Sequence, residues 1–530
     1  MPSPPASVMR RITQSTGVVM ASVLASRGLG LLREWAVAHQ VGSNAASDAY
    51  YAAFTLPDFL NYLVAGGSLS LIFIPVFTKY AAEGREDEAW HVFSTVLTFM
   101  GLVLVVLVVA AEIWAPTLAP AVAPGFNPAA KARVVALTRL MLPAQIAFYL
   151  GGVLAAVQYA RAQFVVPSLA PLIYNLGIIL GGITLASRMG ITGFSVGVLV
   201  GAFAGNFGLQ IYGARRAGAR FRPNLDLGHP GFRLFLKLAV PIMLALSLVF
   251  ADDWIVRAFA SYLRPASITW LTWGKTLMRV PLGVVGQAVG VASFPFLAQL
   301  YSERRFDELN RTLDSTLQGL LLLLLPMSAL TMAESRPLVH LFFATHTRLT
   351  TTDVNSTAAT LVFYSVGMFA WGAQGIVARG FYAARDTLTP AISGTLLTIL
   401  NLPVYWLLVR RLDYVGLALA SSIGIIVYTV VLFGMLRRRL PGYPVREVAT
   451  FFVKAAAMSG AAGLVTWRLT EWLGTRIGWT STRGAIEVLI VSSTVGVVLT
   501  AALAWMMRLG QLRNLLRRTR SAPITLQSGQ

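Results

Sequence analysis

Apolar residues along this chain come in long blocks, without the strict alternation of strands. Fourteen blocks reach the roughly 20 residues needed to cross a bilayer as a helix. They are 14–41, 46–80, 89–122, 132–160, 165–187, 191–214, 231–262, 267–300, 308–333, 355–383, 388–410, 414–436, 447–473 and 484–507. The connections are short. The longest outer one, about 334–354, leaves no room for a separate globular domain. The pattern predicts an all-α polytopic membrane protein with about fourteen transmembrane helices.

Lysine and arginine orient these spans. One set of alternate connections holds Lys79 and Arg85; Arg161; Arg215, Arg216, Arg220 and Arg222; Arg304 and Arg305; Arg385; and Arg437 to Arg439. The opposite set holds far fewer, such as Lys131, Arg188 and Arg264. Basic connections stay on the cytoplasmic side, so both termini are expected there. The end of the chain, with Arg513, Arg517, Arg518 and Arg520, reads either as a basic amphipathic segment on the inner leaflet or as a disordered tail.

The chain also repeats itself. Residues 151–216 and 374–439 align without a gap at an offset of 223, pairing Gly152 with Gly375, Pro167 with Pro390, Gly193 with Gly416, and Arg215-Arg216 with Arg438-Arg439. Residues 73–97 and 293–317 align at an offset of 220, pairing Pro75 with Pro295 and Asp87-Glu88 with Asp307-Glu308. Each offset spans an even number of helices, so two parallel six-helix repeats are expected around a central cavity. Transporters built on parallel repeats place the substrate there and rock the halves about it. The expected segments are 1–222 and 223–440 for the repeats, 441–510 for two extra helices, and 511–530 for the tail.

Composition narrows the class. Hydrophobic residues make up 56% and charged residues only 12%, about half the share of a soluble domain. Mean hydropathy is +0.67. The net charge of +21 would suggest nucleic acid on a soluble protein, but here it sits in loops between spans, so no nucleic-acid partner is expected. With 0 cysteines there are no disulfides, thiolate nucleophiles or thiolate-held metals. The five histidines lack metal-ligand spacing. Arg10 and Arg11 before an apolar run resemble a signal peptide, but Arg27 interrupts that run, and an uncleaved first span is expected. Neither an enzyme activity nor a cofactor is expected.

Charges inside the apolar blocks carry the candidate chemistry. Arg27 lies about 20 Å into the first helix at 1.5 Å per residue. A central arginine costs roughly 2.5–3.5 kcal/mol on insertion, so it normally faces a watery cavity or a partner. Arg33 and Glu34 follow it. Span 2 adds Asp48 and Asp58, and span 7 adds Asp252, Asp253 and Arg257. Span 8 adds Lys275 and Arg279, whose spacing of four puts them on one helix face. Arginine forks suit phosphate oxygens. The set therefore points to a large polar anion, with internal ion pairing as the competing explanation for each residue.

The stretch "SRGLGLLREWAVAHQVGSNAASDAYYAAFTLPDFL" and the later "PLGVVGQAVGVASFPFLAQLY" resemble the MurJ/MviN family of lipid II flippases, within the superfamily that also holds multidrug and polysaccharide exporters. The resemblance implies a carrier that moves undecaprenyl-diphosphate-linked peptidoglycan precursor from the inner to the outer leaflet of the bacterial cytoplasmic membrane. It implies that cavity arginines hold the diphosphate, and that spans 13 and 14 form a groove for the polyprenyl tail. Membrane potential or a monovalent cation would drive it. Arg27, Arg33, Asp48 and Arg257 carry over onto family positions. Relatives have Arg where this chain has Asn61, Glu where it has Gly66, and Asp-Arg where it has Lys275-Thr276. The candidate substrate-binding residues are thus Arg27, Arg33, Asp48, Asn61, Arg257, Lys275 and Arg279, supported by Glu34, Asp58, Asp252 and Asp253. The departures leave open a flippase for another polyprenyl-diphosphate glycan. A cation-coupled drug exporter and a scaffold for cell-wall synthesis proteins are the alternatives from other classes.

Overall fold

The computed structural model describes residues 6–65, 68–249, 251–345, 347–384, 386–440 and 445–507, and every regular element among them is helical. Packing divides the chain into two compact units, 1–269 with 346–349, and 270–345 with 350–530. The first unit holds α1 (Ala6–Gln40), α2 (Ala45–Ala53), α3 (Thr55–Leu60), α4 (Ser68–Ala82), α5 (Glu86–Val122), α6 (Pro128–Met141), α7 (Ala144–Ala160), α8 (Val165–Met189), α9 (Thr192–Gly201), α10 (Leu209–Arg216), α11 (Pro230–Val249) and α12 (Ala251–Ala260). α13 (Ser267–Ser302) starts in the first unit and continues into the second. The second unit goes on with α14 (Phe306–Ala333), α15 (Ser335–Val339), α16 (Thr351–Ser365), α17 (Met368–Ala383), α18 (Leu388–Leu400), α19 (Leu402–Leu412), α20 (Tyr414–Arg439), α21 (Val445–Arg476) and α22 (Thr482–Met506).

Among the described residues nine helices are long and apolar enough to span a membrane, and ten if α18 and α19, bent by 41°, count as one. The four expected spans outside that number are 14–41, 46–80, 231–262 and 267–300. These are the four that carry the candidate site. Each of the four runs partly through residues outside those searched, and 46–80 is also broken by a π-helical stretch, Asn61–Ala65, between α3 and α4. The expected boundary at 222/223 is not where packing divides the chain. Phe232, Phe235 and Ala239 of α11 lie in one buried cluster with Phe73, Phe77 and Phe93, so the seventh expected span is held by the first unit. Residues 441–444, the tail from 508 onward, Gly66 and Arg385 lie outside the described residues.

The sequence repeat has a counterpart in backbone geometry, each copy seen within its own unit. Gly190 has φ +57° and ψ −135°, and Asp413, 223 residues on, has φ +56° and ψ −145°. A Cβ on Gly193 would meet Leu185 Cβ at 2.9 Å, and one on Gly416 would meet the carbonyl oxygen of Leu408 at 2.2 Å. Leu185 and Leu408 are themselves 223 apart, so the matched glycines permit the same close turn. At the other offset, Arg85 Nε donates to Glu88 at 2.7 Å and Arg305 Nε to Glu308 at 2.8 Å. The residues just before them, Gly84 and Arg304, both have left-handed backbone, with φ +75° and +58°. An L side chain there costs about 1–2 kcal/mol. Gly84→Ala should therefore lower the thermal stability of the detergent-purified protein by about 1 kcal/mol, and Arg304→Gly should shift it the other way.

Loops outside the spans are fixed by ordinary surface chemistry. The His91 ring hydrogen-bonds Asp226 at 2.9 Å, which ties the 217–229 connection to α5 and holds that carboxyl below its usual range.

Candidate functional site

Arg33 sits in the body of α1, where helix geometry keeps its backbone satisfied and leaves only the guanidinium to be placed. Neighbouring side chains on a helix do not normally face each other. Here the guanidinium folds back onto the next residue, and Arg33 Nε and Nη2 both donate to Glu34 Oε1, at 3.0 and 2.6 Å. The other Glu34 oxygen accepts from the Tyr51 hydroxyl of α2. Arg33 Nη1 lies 3.4 Å from Asn175 Oδ1 on α8, and Asn175 in turn donates to Pro171 O at 2.9 Å. The Glu34 side chain is 2% exposed and that of Arg33 28%, so the pair has a sealed anionic end and an open cationic one. Gly28 and Gly30, on the same helix, have open space where a Cβ would go.

Arg27, six residues earlier, is exposed and makes no hydrogen bond or ion pair among the described residues. At 3.6 residues per turn it is about 120° around the helix from Arg33, so the two do not share a face.

Asp48 was expected to face substrate, but the structure commits it to holding the chain together. It is 2% exposed. Its Oδ1 accepts from Thr269 N at 2.8 Å and Thr269 Oγ1 at 2.7 Å, and its Oδ2 from Ala266 N at 2.7 Å. Those donors include the first-turn groups of α13, which have no partner within the helix and welcome an anion. Asp48 thus clasps the start of α13 to α2.

Asp58, half-buried on α3, feels Arg257, Asp253 and Arg33 as its principal charged neighbours. Arg257 Nη1 donates to Thr55 Oγ1 at 2.7 Å, which anchors α12 to α3. So the first unit brings Arg33, Glu34, Asp58, Asp253 and Arg257 into one electrostatic neighbourhood. Asp252 is half-buried on the same turn as Asp253. Asn61 is half-buried at the first position of the π-helical stretch, a departure from α geometry that recurs at functional sites.

Lys275 and Arg279 belong to the second unit. Their spacing of four does place them on one face, but not in one environment. Lys275 is 8% exposed, with Nζ 5.6 Å from the Tyr364 ring and 5.9 Å from the Trp371 ring, whereas Arg279 is exposed. Helical spacing fixes direction, and the neighbours at each turn fix burial. α16 and α17 supply two aromatic faces beside Lys275, a cation–π arrangement. Thr276 is half-buried.

Sequence reasoning missed Tyr51 and Asn175, the two neutral groups that position the Arg33–Glu34 pair. It also missed Tyr50, whose buried hydroxyl has no hydrogen-bond partner among the described residues and which lies within electrostatic reach of Arg33 and Glu34. The two tyrosines stand in the "DAYY" stretch already singled out, but an aromatic in an apolar block carries no sign of what its hydroxyl reaches.

The two extra helices are more than an attachment. α21 lies along α14, and Gly463 comes so close to Ala329 that a Cβ would meet it at 2.8 Å. Glu334, 4% exposed, accepts from Ser492 Oγ at 2.7 Å and Ser493 Oγ at 2.8 Å on α22. The outward faces of both helices stay apolar, with Val453 63%, Leu464 64%, Ile490 62% and Val498 62% exposed.

Residues 37–478 match the family model described as lipid II flippase MurJ. Among curated relatives, a probable lipid II flippase MurJ of Vibrio cholerae is 26% identical over 519 residues, 95% of this chain and 97% of the relative. The lipid II flippase MurJ of Burkholderia cenocepacia is 28% identical over 496 residues, 92% and 94% of the two chains. Among solved structures, a lipid II flippase MurJ in an inward closed conformation superposes with a TM-score of 0.77 at 21% identity, covering 94% of this chain and 99% of that one. A multidrug resistance transporter of the MATE family in an inward-facing conformation gives 0.62 at 15% identity, with coverage of 80% and 98%. At these identities the structures speak for the fold.

Proposed function

The chain belongs to the lipid II flippase MurJ family, and from that membership we propose that it carries lipid II from the inner to the outer leaflet of the bacterial cytoplasmic membrane by alternating access, with both termini cytoplasmic. The observation that carries the site reading is Arg33: a guanidinium in the body of an apolar helix, braced by a buried carboxylate and open on its other edge. A bare arginine would have to find water or lipid phosphate for itself. This one is held in place by Glu34, Tyr51 and Asn175, so the guanidinium N–H groups left over meet a phosphate at little further cost in side-chain entropy. Arg257 and Arg27 add positive charge in the same unit; Lys275 and Arg279 of the second unit stand as candidates from the sequence reading. The apolar outer faces of α21 and α22 suit the polyprenyl tail.

The test is replacement. In a bacterium depleted of its own lipid II flippase, expression of this chain should restore growth and cell shape. Rescue of polysaccharide export without rescue of growth would assign it to another polyprenyl-diphosphate glycan, and failure of both would remove the flippase reading.

The Lys275-Thr276 departure gives a second test. Lys275→Ala with Arg279→Ala should abolish transport of every polyprenyl-diphosphate substrate, while Thr276→Arg should keep or improve lipid II transport because Thr276 is only half-buried. Transport by the double variant at the wild-type rate in a leaflet-accessibility assay would take both cations out of the site.

A further inference from the structure

We propose that the second unit binds a phospholipid with a zwitterionic headgroup of the phosphoethanolamine type, in a cavity of about 690 Å³ beside α21 that takes the phosphate on Arg336 and the primary ammonium on Glu471. The proposal is independent of the cargo reading above. Gly460, Gly463, Leu464, Trp467, Glu471 and Gly474 line the cavity at intervals of three and four, so one face of α21 forms its wall. Small residues hollow it out. Gly460 has open space where a Cβ would go, and Ala333 and Ala359 face it from α14 and α16.

The polar groups converge at one end. Arg336 Nη1 donates to Glu471 Oε1 at 2.9 Å, and both side chains are 46% exposed. A single half-exposed contact of this kind contributes little and opens easily. Trp467 and Trp479 stand beside the pair, and Trp472 on the same helix end is 56% exposed, which marks the depth where headgroups lie. This is the end of α21 far from the Arg437–Arg439 cluster, so the lipid belongs to the leaflet opposite those arginines.

Charge selects the occupant. A phosphoethanolamine headgroup satisfies Arg336 and Glu471 together. A phosphatidylglycerol headgroup satisfies Arg336 alone and sets a phosphate against Glu471. A polyprenyl diphosphate makes that conflict worse, and no residue of α22 lines the cavity.

The experiment reconstitutes the full-length protein in phosphatidylcholine vesicles containing either photoreactive phosphatidylethanolamine or photoreactive phosphatidylglycerol, and maps the labelled peptides. Phosphatidylethanolamine should label residues 329–337 and 460–479 about fivefold more than phosphatidylglycerol, the order expected for one charge-assisted contact near the surface. Glu471→Gln should erase or invert that ratio while the protein melts as wild type. Gly460→Leu should suppress labelling by both lipids, since it fills the cavity without touching either charge. A ratio near one in the wild type, or one unmoved by Glu471→Gln, overturns the proposal whether or not the glycine variant folds. Preferential labelling by photoreactive undecaprenyl diphosphate would hand the cavity to the cargo route and equally overturn it.

Discussion

Arg33→Ala should abolish flipping, and it should also weaken the protein, because it strands Glu34. That carboxylate is 2% exposed and has Arg33 as its ion-pair partner. Removing one member of a buried pair commonly costs about 3–5 kcal/mol, because a charge is left without compensation. Loss of activity alone would therefore be ambiguous. The informative variant is Arg33→Ala combined with Glu34→Gln, which keeps an acceptor for the Tyr51 hydroxyl and removes the stranded charge. Its melting temperature should return most of the way to the wild type, while transport in a leaflet-accessibility assay stays at background. Arg33→Lys should keep the charge and recover only part of the rate, since an ammonium cannot reproduce the two-pronged grip of a guanidinium. If the double variant transports normally, Arg33 is a structural residue and the phosphate site lies elsewhere.

The second large effect is on folding. Asp48→Ala leaves Ala266 N and Thr269 N without their acceptor, in a place closed to water, while Thr269 Oγ1 keeps Ser47 Oγ at 2.9 Å. Each orphaned buried donor costs about 1–3 kcal/mol. The expected loss is about 3–5 kcal/mol, enough to lower the amount of protein recovered from membranes several-fold. Asp48→Asn is nearly the same size but turns an amide N–H toward a backbone N–H, so it should fall between the two. A direct role in substrate binding predicts a different outcome: Asp48→Asn would then fold and melt as wild type and fail only in transport. Thermal unfolding of the purified variants separates these cases.

Both residues lay in the same short motif-bearing stretch, and that shows where sequence reading stops. The order of apolar blocks was enough to predict a polytopic helical protein, because about 20 apolar residues have no other soluble or membrane-surface destination of comparable free energy. The duplication was also legible, down to Gly193 and Gly416, because a glycine required by a close turn is required in both copies. The charges inside the apolar blocks were legible as well, since Arg27, Arg33 and Lys275 stand where apolar residues cost nothing and charges cost several kcal/mol in hydrocarbon, roughly 2.5–3.5 for an arginine.

Tertiary structure alone decided what each charge does. Sequence gives the direction a side chain takes from its helix, and partners come from elements far along the chain. Asp48 and Asp58 look alike in the sequence. One meets the first turn of α13, 218–221 residues away, and is consumed by it; the other remains half-buried among Arg257, Asp253 and Arg33. Lys275 and Arg279 share a helix face, yet Tyr364 and Trp371 cover the first and leave the second exposed. Glu334, in a connection the sequence marked only as short, becomes a buried acceptor because Ser492 and Ser493 come to it from 158 and 159 residues on. In each case the local pattern set where a polar group points, and the packing of remote helices set whether it is spent inside the protein or left for a ligand.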